Sequence, residues 1–345
     1  MKFPNGETFE KKNSYSNIPI LQYSNTPIIQ YSNGFLRYAL CALLFIAIGL
    51  GSWGCASKNS QQNFLKEVEY RRKLESQKAD KNPVKLPEMT AEEYEKLGDQ
   101  SFIQKNIDLA FVQYNKALRL NPDQIRLRYK IGRLFLEKGL TEDAKREFQE
   151  VLKVNPNYAL AYDGMGRVYF HLCQYQEAEE NFKKAIKFEN SLWQSHNFLG
   201  LVYDRQGHFE AAIIHYKAAV TIRPDDPSLL NNLGTSLFLK KDYELAVKAF
   251  TEALRMDGSN SRVHNNLALA LCKLERYQEA FEAFRKAGEE ATAYYNLGCI
   301  YMMEGKNREA VAAFEKAIEI KPEFYAKAYE NLKKARADAN ITSVK

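Results

Sequence analysis

PSLLNNLGTSLFLKKDYELAVKAFTEALRMDGSN, residues 227–260, decides the fold. Apolar side chains recur at three- and four-residue spacing on either side of Lys240–Asp242. That period predicts two amphipathic helices of about 12–14 residues joined by a short turn. Gly234 and Ala246, at the eighth and twentieth positions, are small enough for the two helices to approach closely. Phe250, at the twenty-fourth, fills the space they leave against the next unit.

The same frame runs outward in both directions. Units begin every 34 residues at 91, 125, 159, 193, 227 and 261, with a seventh at 291. The eighth position holds Gly98, Gly132, Gly166, Gly200, Gly234, Ala268 and Gly298. The twentieth is alanine in every unit, from Ala110 to Ala310, and the twenty-fourth is always aromatic, from Tyr114 to Phe314. Gly139, Gly207 and Gly305 mark the turn between helices. Pro122, Pro156, Pro224 and Pro322 stand where the second helix must end. A single hairpin cannot bury its own apolar face, so stability has to come from stacking against neighbours.

These positions identify the array, 91–324, as resembling the tetratricopeptide repeat. The resemblance implies an all-α, right-handed superhelical solenoid of seven hairpins: 91–124, 125–158, 159–192, 193–226, 227–260, 261–290 and 291–324. A capping helix is expected over 325–337, with Tyr325, Tyr329, Leu332 and Ala335 covering the last hairpin, and a tail over 338–345. The sixth unit has 30 residues and lacks the last four positions, which shortens the turn into the seventh.

The remaining sequence falls into three stretches. Residues 56–90 are polar, with Pro83 and Pro87 near the end, and read as a linker. Residues 38–54, YALCALLFIAIGLGSWG, carry no charge and follow Arg37. They are short for a membrane-spanning helix and fit the apolar region of a signal peptide. The stretch 35–55 resembles the lipobox of bacterial lipoproteins, which implies lipidation of Cys55 after Gly54, although Ser52 and Trp53 depart from the usual pattern. The alternative is an uncleaved membrane anchor. Either form places the array across a membrane, in the cell envelope, with the outer membrane favoured by Ala56 after the cysteine. Residues 1–34 contain the near-duplicate IPILQYSN (18–25) and TPIIQYSN (26–33) and read as a leader of doubtful translation.

Composition narrows the function. The chain has 345 residues, 45% hydrophobic and 27% charged, with a net charge of +6. Residues 91–345 hold 37 basic and 36 acidic groups, so the array lacks the basic surplus of a nucleic-acid binder. The five histidines show no ligand spacing, the five cysteines form no CxxC pair, and no nucleotide-binding or nucleophile motif occurs. These features predict a protein without catalytic residues, metal or cofactor.

Tetratricopeptide arrays typically bind an extended peptide or a partner helix along the concave face formed by the first helices. Carried onto this chain, that face holds Arg126, Lys130, Arg133 and Arg167 in the second and third units. These are candidates for an acidic segment or a carboxylate, with pairing to Glu92, Glu95, Asp99 or Asp163 as the alternative. Asn197, Asn231, Asn232, Asn265, Asn266 and Asn296 follow in units four to seven, resembling the asparagine ladder of long tetratricopeptide superhelices, which clamps a peptide backbone, with ordinary helix-surface polarity as the alternative. Cys272 and Cys299 fall on one inner layer of adjacent units. The C-terminal half also resembles the TadD-type proteins of Flp pilus assembly, and the layout resembles that of type IV pilotin lipoproteins. That implies a scaffold assisting pilus or secretion-system assembly. The rival readings are a periplasmic adaptor in envelope synthesis and the recognition subunit of an enzyme such as a protein glycosyltransferase.

Overall fold

The computed structural model describes residues 89–322 and 326–339, together with the helical positions Lys66 and Glu69. The leader, the apolar stretch, Cys55, nearly all of the linker, Tyr325 and most of the C-terminal tail lie outside the described residues. Fifteen helices form over 91–338, and the described residues include no strand.

They pair as successive hairpins: α1 (Ala91–Ile103) with α2 (Ile107–Leu120), α3 (Ile125–Glu137) with α4 (Thr141–Val154), and α5 (Ala159–His171) with α6 (Tyr175–Phe188). The series continues with α7 (Trp193–Gln206) and α8 (Phe209–Ile222), α9 (Pro227–Leu239) and α10 (Tyr243–Met256), α11 (Ser261–Lys273) and α12 (Tyr277–Ala287), and α13 (Glu290–Met303) and α14 (Asn307–Ile320). One further helix, α15 (Ala326–Asp338), packs on the last pair. Each second helix packs on the next first helix, and first helices also touch along the array, as α3 touches α5, α5 touches α7 and α9 touches α11. The first helices therefore form the inner layer of the solenoid.

Local sequence starts several helices directly. Thr90 and Glu93 form a reciprocal capping box at α1. Asn106 caps α2, Asn260 caps α11, and Asp226 caps α9 ahead of Pro227, whose fixed φ suits the first helical position.

The hairpins close on the aromatic of the twenty-fourth position. Phe148, Phe182, Tyr216, Phe250 and Phe314 are completely buried, each contributing roughly 1.5–3 kcal/mol by leaving water. They lie against the glycines of the eighth position: a Cβ on Gly234 would meet the Phe250 ring at 2.6 Å. Both tyrosines at this position find acceptors, Tyr114 donating to Asp99 at 2.7 Å and Tyr216 to Asp204 at 2.8 Å.

The turn between helices is the same in all seven hairpins, which the sequence marks only at its three glycines. Lys105, Cys173, Lys241 and Glu275 occupy the equivalent place with positive φ of 57–73°, alongside Gly139, Gly207 and Gly305 at 72–77°. The carbonyls of the departing helix hold this geometry, as in the bond from the Lys241 amide to Phe238 at 2.9 Å.

Two details depart from the sequence expectations. The shortening of the sixth unit falls largely on its second helix: α12 has 11 residues where the other second helices have 14, and α13 starts at Glu290 after extended Gly288. In α15, Ala328, Asn331, Leu332 and Ala335 are buried, but Tyr329 is 50% exposed. Asn331 and Ala335, one helical turn apart, share the packed face, and Asn331 donates to the Tyr295 hydroxyl at 3.2 Å. The covering face is therefore rotated away from Tyr329.

Candidate functional site: the inner face of the first helices

The seam between neighbouring first helices carries one recurring contact. A side chain at the fifth position of one unit accepts from the sixth position of the next, 35 residues on. Glu95 accepts from Lys130 at 2.6 Å, Asn197 from Asn232 at 3.0 Å, and Asn231 from Asn266 at 2.9 Å. The basic and asparagine stretches therefore contain the same rung in two chemistries, one ionic and one amide.

At the ionic end, Arg126 reaches Glu95 at 2.7 Å, and Lys130 bridges Glu95 and Asp99, both at 2.6 Å. Glu95 is almost fully buried, so these cations offset its desolvation. Arg133 lies over the Phe102 ring at 4.8 Å. Arg167 forms an ion pair with Asp163 at 2.8 Å and covers Phe198 at 4.6 Å. All four basic candidates are thus engaged within the array, by carboxylates or aromatic faces. Arg126 is the most open of the ion-paired set, its side chain 58% exposed.

Between the two ends the rung changes. Gly164 occupies the sixth position of the third unit because a Cβ there would meet Phe148 at 2.5 Å. Asp163 instead accepts from Ser195 at 2.8 Å.

At the C-terminal end the ladder stops. Asn265 and Asn296 occupy the fifth and sixth positions of units six and seven, but no bond joins them. The short sixth unit separates them by 31 residues where every rung spans 35. Asn266 donates to Asn231, while its own buried carbonyl oxygen has no protein donor.

Among the described residues no three His, Cys, Asp or Glu side chains gather as a metal site. Cys272 and Cys299 are buried and unbridged. Burial, with Glu304 adding a smaller push, raises the Cys272 thiol to about 12, which disfavours the thiolate. No helix among the described residues is long and apolar enough to cross a membrane.

Two features escaped the sequence reading. Asp204 sits half-buried beneath the hydroxyls of Tyr216 and Ser236, both at 2.8 Å. Burial pushes its carboxyl up to about 6 despite those two donors. Exposed apolar residues also recur at the thirtieth position, where Leu120, Val154, Phe188, Ile222, Met256 and Ile320 end every second helix but α12. The 34-residue period was the available signal for that row.

The family models divide where the repeat shortens. A model described as the cilia and flagella-associated protein 70 C-terminal domain, a tetratricopeptide repeat region, matches residues 59–294. The tetratricopeptide repeat model matches 291–324. Comparison with curated proteins gives no match. Among solved structures, a chain of the APC/C hetero-tetramer Cut9–Hcn1 is similar over 88% of this chain and 57% of its own, at 19% identity and a TM-score of 0.51. MamA is similar over 47% of this chain and 95% of its own, at 26% identity and a TM-score of 0.41. PilF of Pseudomonas aeruginosa is similar over 62% and 97%, at 20% identity and a TM-score of 0.48. The first family model covers more than half of the chain, and the protein belongs to the tetratricopeptide repeat family that this model describes.

Proposed function

We propose that the protein is a non-catalytic scaffold at the bacterial cell envelope that holds a partner's extended peptide or helix along its inner face. The tetratricopeptide fold supports a protein–protein interaction role. The observation that carries the location of the contact is the interrupted ladder: Asn265 and Asn296 keep amide groups uncommitted where the preceding pairs have bonded each other. A carboxamide both donates and accepts, so these residues suit a peptide backbone whatever its side chains. The basic end is a weaker candidate, because an acidic partner must displace Glu95, Asp99 or Asp163 from cations they already hold.

Envelope placement rests on the apolar stretch 38–54 and Cys55, and assistance to pilus or secretion-system assembly rests on the sequence resemblance of the C-terminal half. The test is in-cell crosslinking from a photoreactive residue at position 292, followed by identification of partners in envelope fractions and intact-mass analysis of the mature N-terminus. The expected result is an acylated Cys55 and crosslinks to pilus or secretion components that disappear in Asn265→Ala with Asn296→Ala. A cytoplasmic, unprocessed chain overturns the envelope reading. Crosslinks unchanged by the double substitution overturn the assignment of the groove.

A further inference from the structure

The fourth hairpin holds a histidine pair that the inner face does not use. His196 stands at the fourth position of its unit, on α7, and His215 at the twenty-third, on α8. Hairpin geometry brings these two positions together whatever occupies them: in the second unit they are Arg128 and Glu147, an ion pair at 3.5 Å. In the fourth unit two imidazoles take their place, with their Nδ1 atoms 3.1 Å apart.

The orientation of the rings is determined by their neighbours. His196 Nε2 lies 3.3 Å from the Asn190 carbonyl, which can only accept, so Nε2 carries the proton and the Nδ1 lone pair points at His215. A backbone carbonyl holding the distal N–H is the usual support of a metal-bound histidine. The Tyr203 ring stacks on His215 with centroids 5.6 Å apart and fixes the second imidazole. Burial, and after it His196 and Lys183, lowers the His215 basicity to about 4, and burial lowers that of His196, so both rings are uncharged at neutral pH. The charged pair facing them from α6, Glu179 and Lys183, is joined at 2.6 Å and adds little net charge.

The separation fits a chelate. Two imidazoles on one ion at roughly 2.0–2.1 Å lie about 2.9 Å apart at a right angle and about 3.3 Å apart at the tetrahedral angle. The observed 3.1 Å falls between them. We propose that His196 and His215 bind one divalent late-transition-metal ion of the Zn²⁺, Ni²⁺ or Cu²⁺ class through their Nδ1 atoms, with water completing the coordination. In the metal-free pair His215 Nδ1–H donates to His196. On binding, that proton moves to His215 Nε2, and both Nδ1 lone pairs face the ion with no net proton release. An ion held by two protein ligands keeps open positions, which a partner's side chain can enter at a surface distinct from the inner face.

The experiment uses the full chain in detergent at pH 7.5, titrated calorimetrically with Zn²⁺. Binding of one equivalent is expected, weakened at least tenfold by His196→Gln and by His215→Gln and unchanged by His208→Gln, whose ring also borders Tyr203. Far-UV dichroism and the melting temperature without metal check that the variants fold. In the wild-type protein, Zn²⁺ should shift the imidazole nitrogen resonances of His196 and His215 specifically, a readout that needs no variant. Equal Zn²⁺ affinity in all three variants, or imidazole resonances unmoved at saturating Zn²⁺, overturns the proposal.

Discussion

Glu275 turns the sixth hairpin with φ at 58°, in the left-handed region where an L side chain costs roughly 1–2 kcal/mol. Glycine at that place escapes the steric cost but gives up about 0.5–1 kcal/mol through greater freedom of the unfolded chain. Glu275→Gly should therefore stabilise the protein by about 0.5–1 kcal/mol, read as a higher urea midpoint. The reverse change, Gly139→Ala, should destabilise by about 1 kcal/mol. No atom lies within 4 Å of the added methyl, so its effect isolates the backbone term. Equal midpoints for Gly139→Ala and wild type would show that the turn relaxes out of its left-handed form. Three of the seven turns were legible because glycine occupies them. The other four were not, since Lys105, Cys173, Lys241 and Glu275 carry no local signal for positive φ and are held there by the packed helices on either side.

Asp204 supplies a second test at this scale. Its carboxyl titrates near 6 in the folded protein and about 3.9 when unfolded. The folded state therefore binds the proton more tightly. Stability from this residue is present at pH below about 4 and is lost as pH rises through 6. Asp204→Asn removes that loss, so the variant should exceed wild type by about 1–3 kcal/mol at pH 7.5 and differ little at pH 4. Denaturant midpoints at the two pH values decide it. A gap of the same size at both would mean that the carboxylate is not the source.

At the scale of the element, the rung between neighbouring first helices takes up groups that the sequence reading assigns to a ligand. Helical spacing places Asn231 and Asn266 on the inner face and so marks them as groove residues. Spacing cannot report the lateral offset between two neighbouring first helices, and that offset brings the fifth position of one against the sixth of the next. The helices, their pairing and their small-residue contacts were legible, since each follows from periodicity within one unit. The rung was not, since it depends on how two units sit together. A double-mutant cycle with Asn231→Ala and Asn266→Ala should give a coupling of about 0.5–1.5 kcal/mol. The same cycle on Asn265 and Asn296 should give none, because no bond joins them in this register. Coupling in the second pair equal to the first would contradict the interrupted ladder.

For the molecule as a whole, stability sums over neighbouring interfaces, so a change in the length of one unit acts on a single junction and leaves the rest of the array intact. The short sixth unit is such a change. Four residues inserted after Ala287, copying Leu254 to Asp257 of the preceding unit, would lengthen α12 to match its equivalents and separate Asn265 from Asn296 by the 35 residues that characterise the other rungs. The third amide pair should then form, and the cycle on Asn265 and Asn296 should acquire a coupling of about 0.5–1.5 kcal/mol. The same insertion should weaken partner crosslinking from the seventh unit, because the two amides would satisfy each other and no longer face a peptide. If the coupling appears while crosslinking persists, the ladder is a device for setting helix register and the partner binds elsewhere. If crosslinking falls as the coupling appears, the missing four residues keep the end of the groove open.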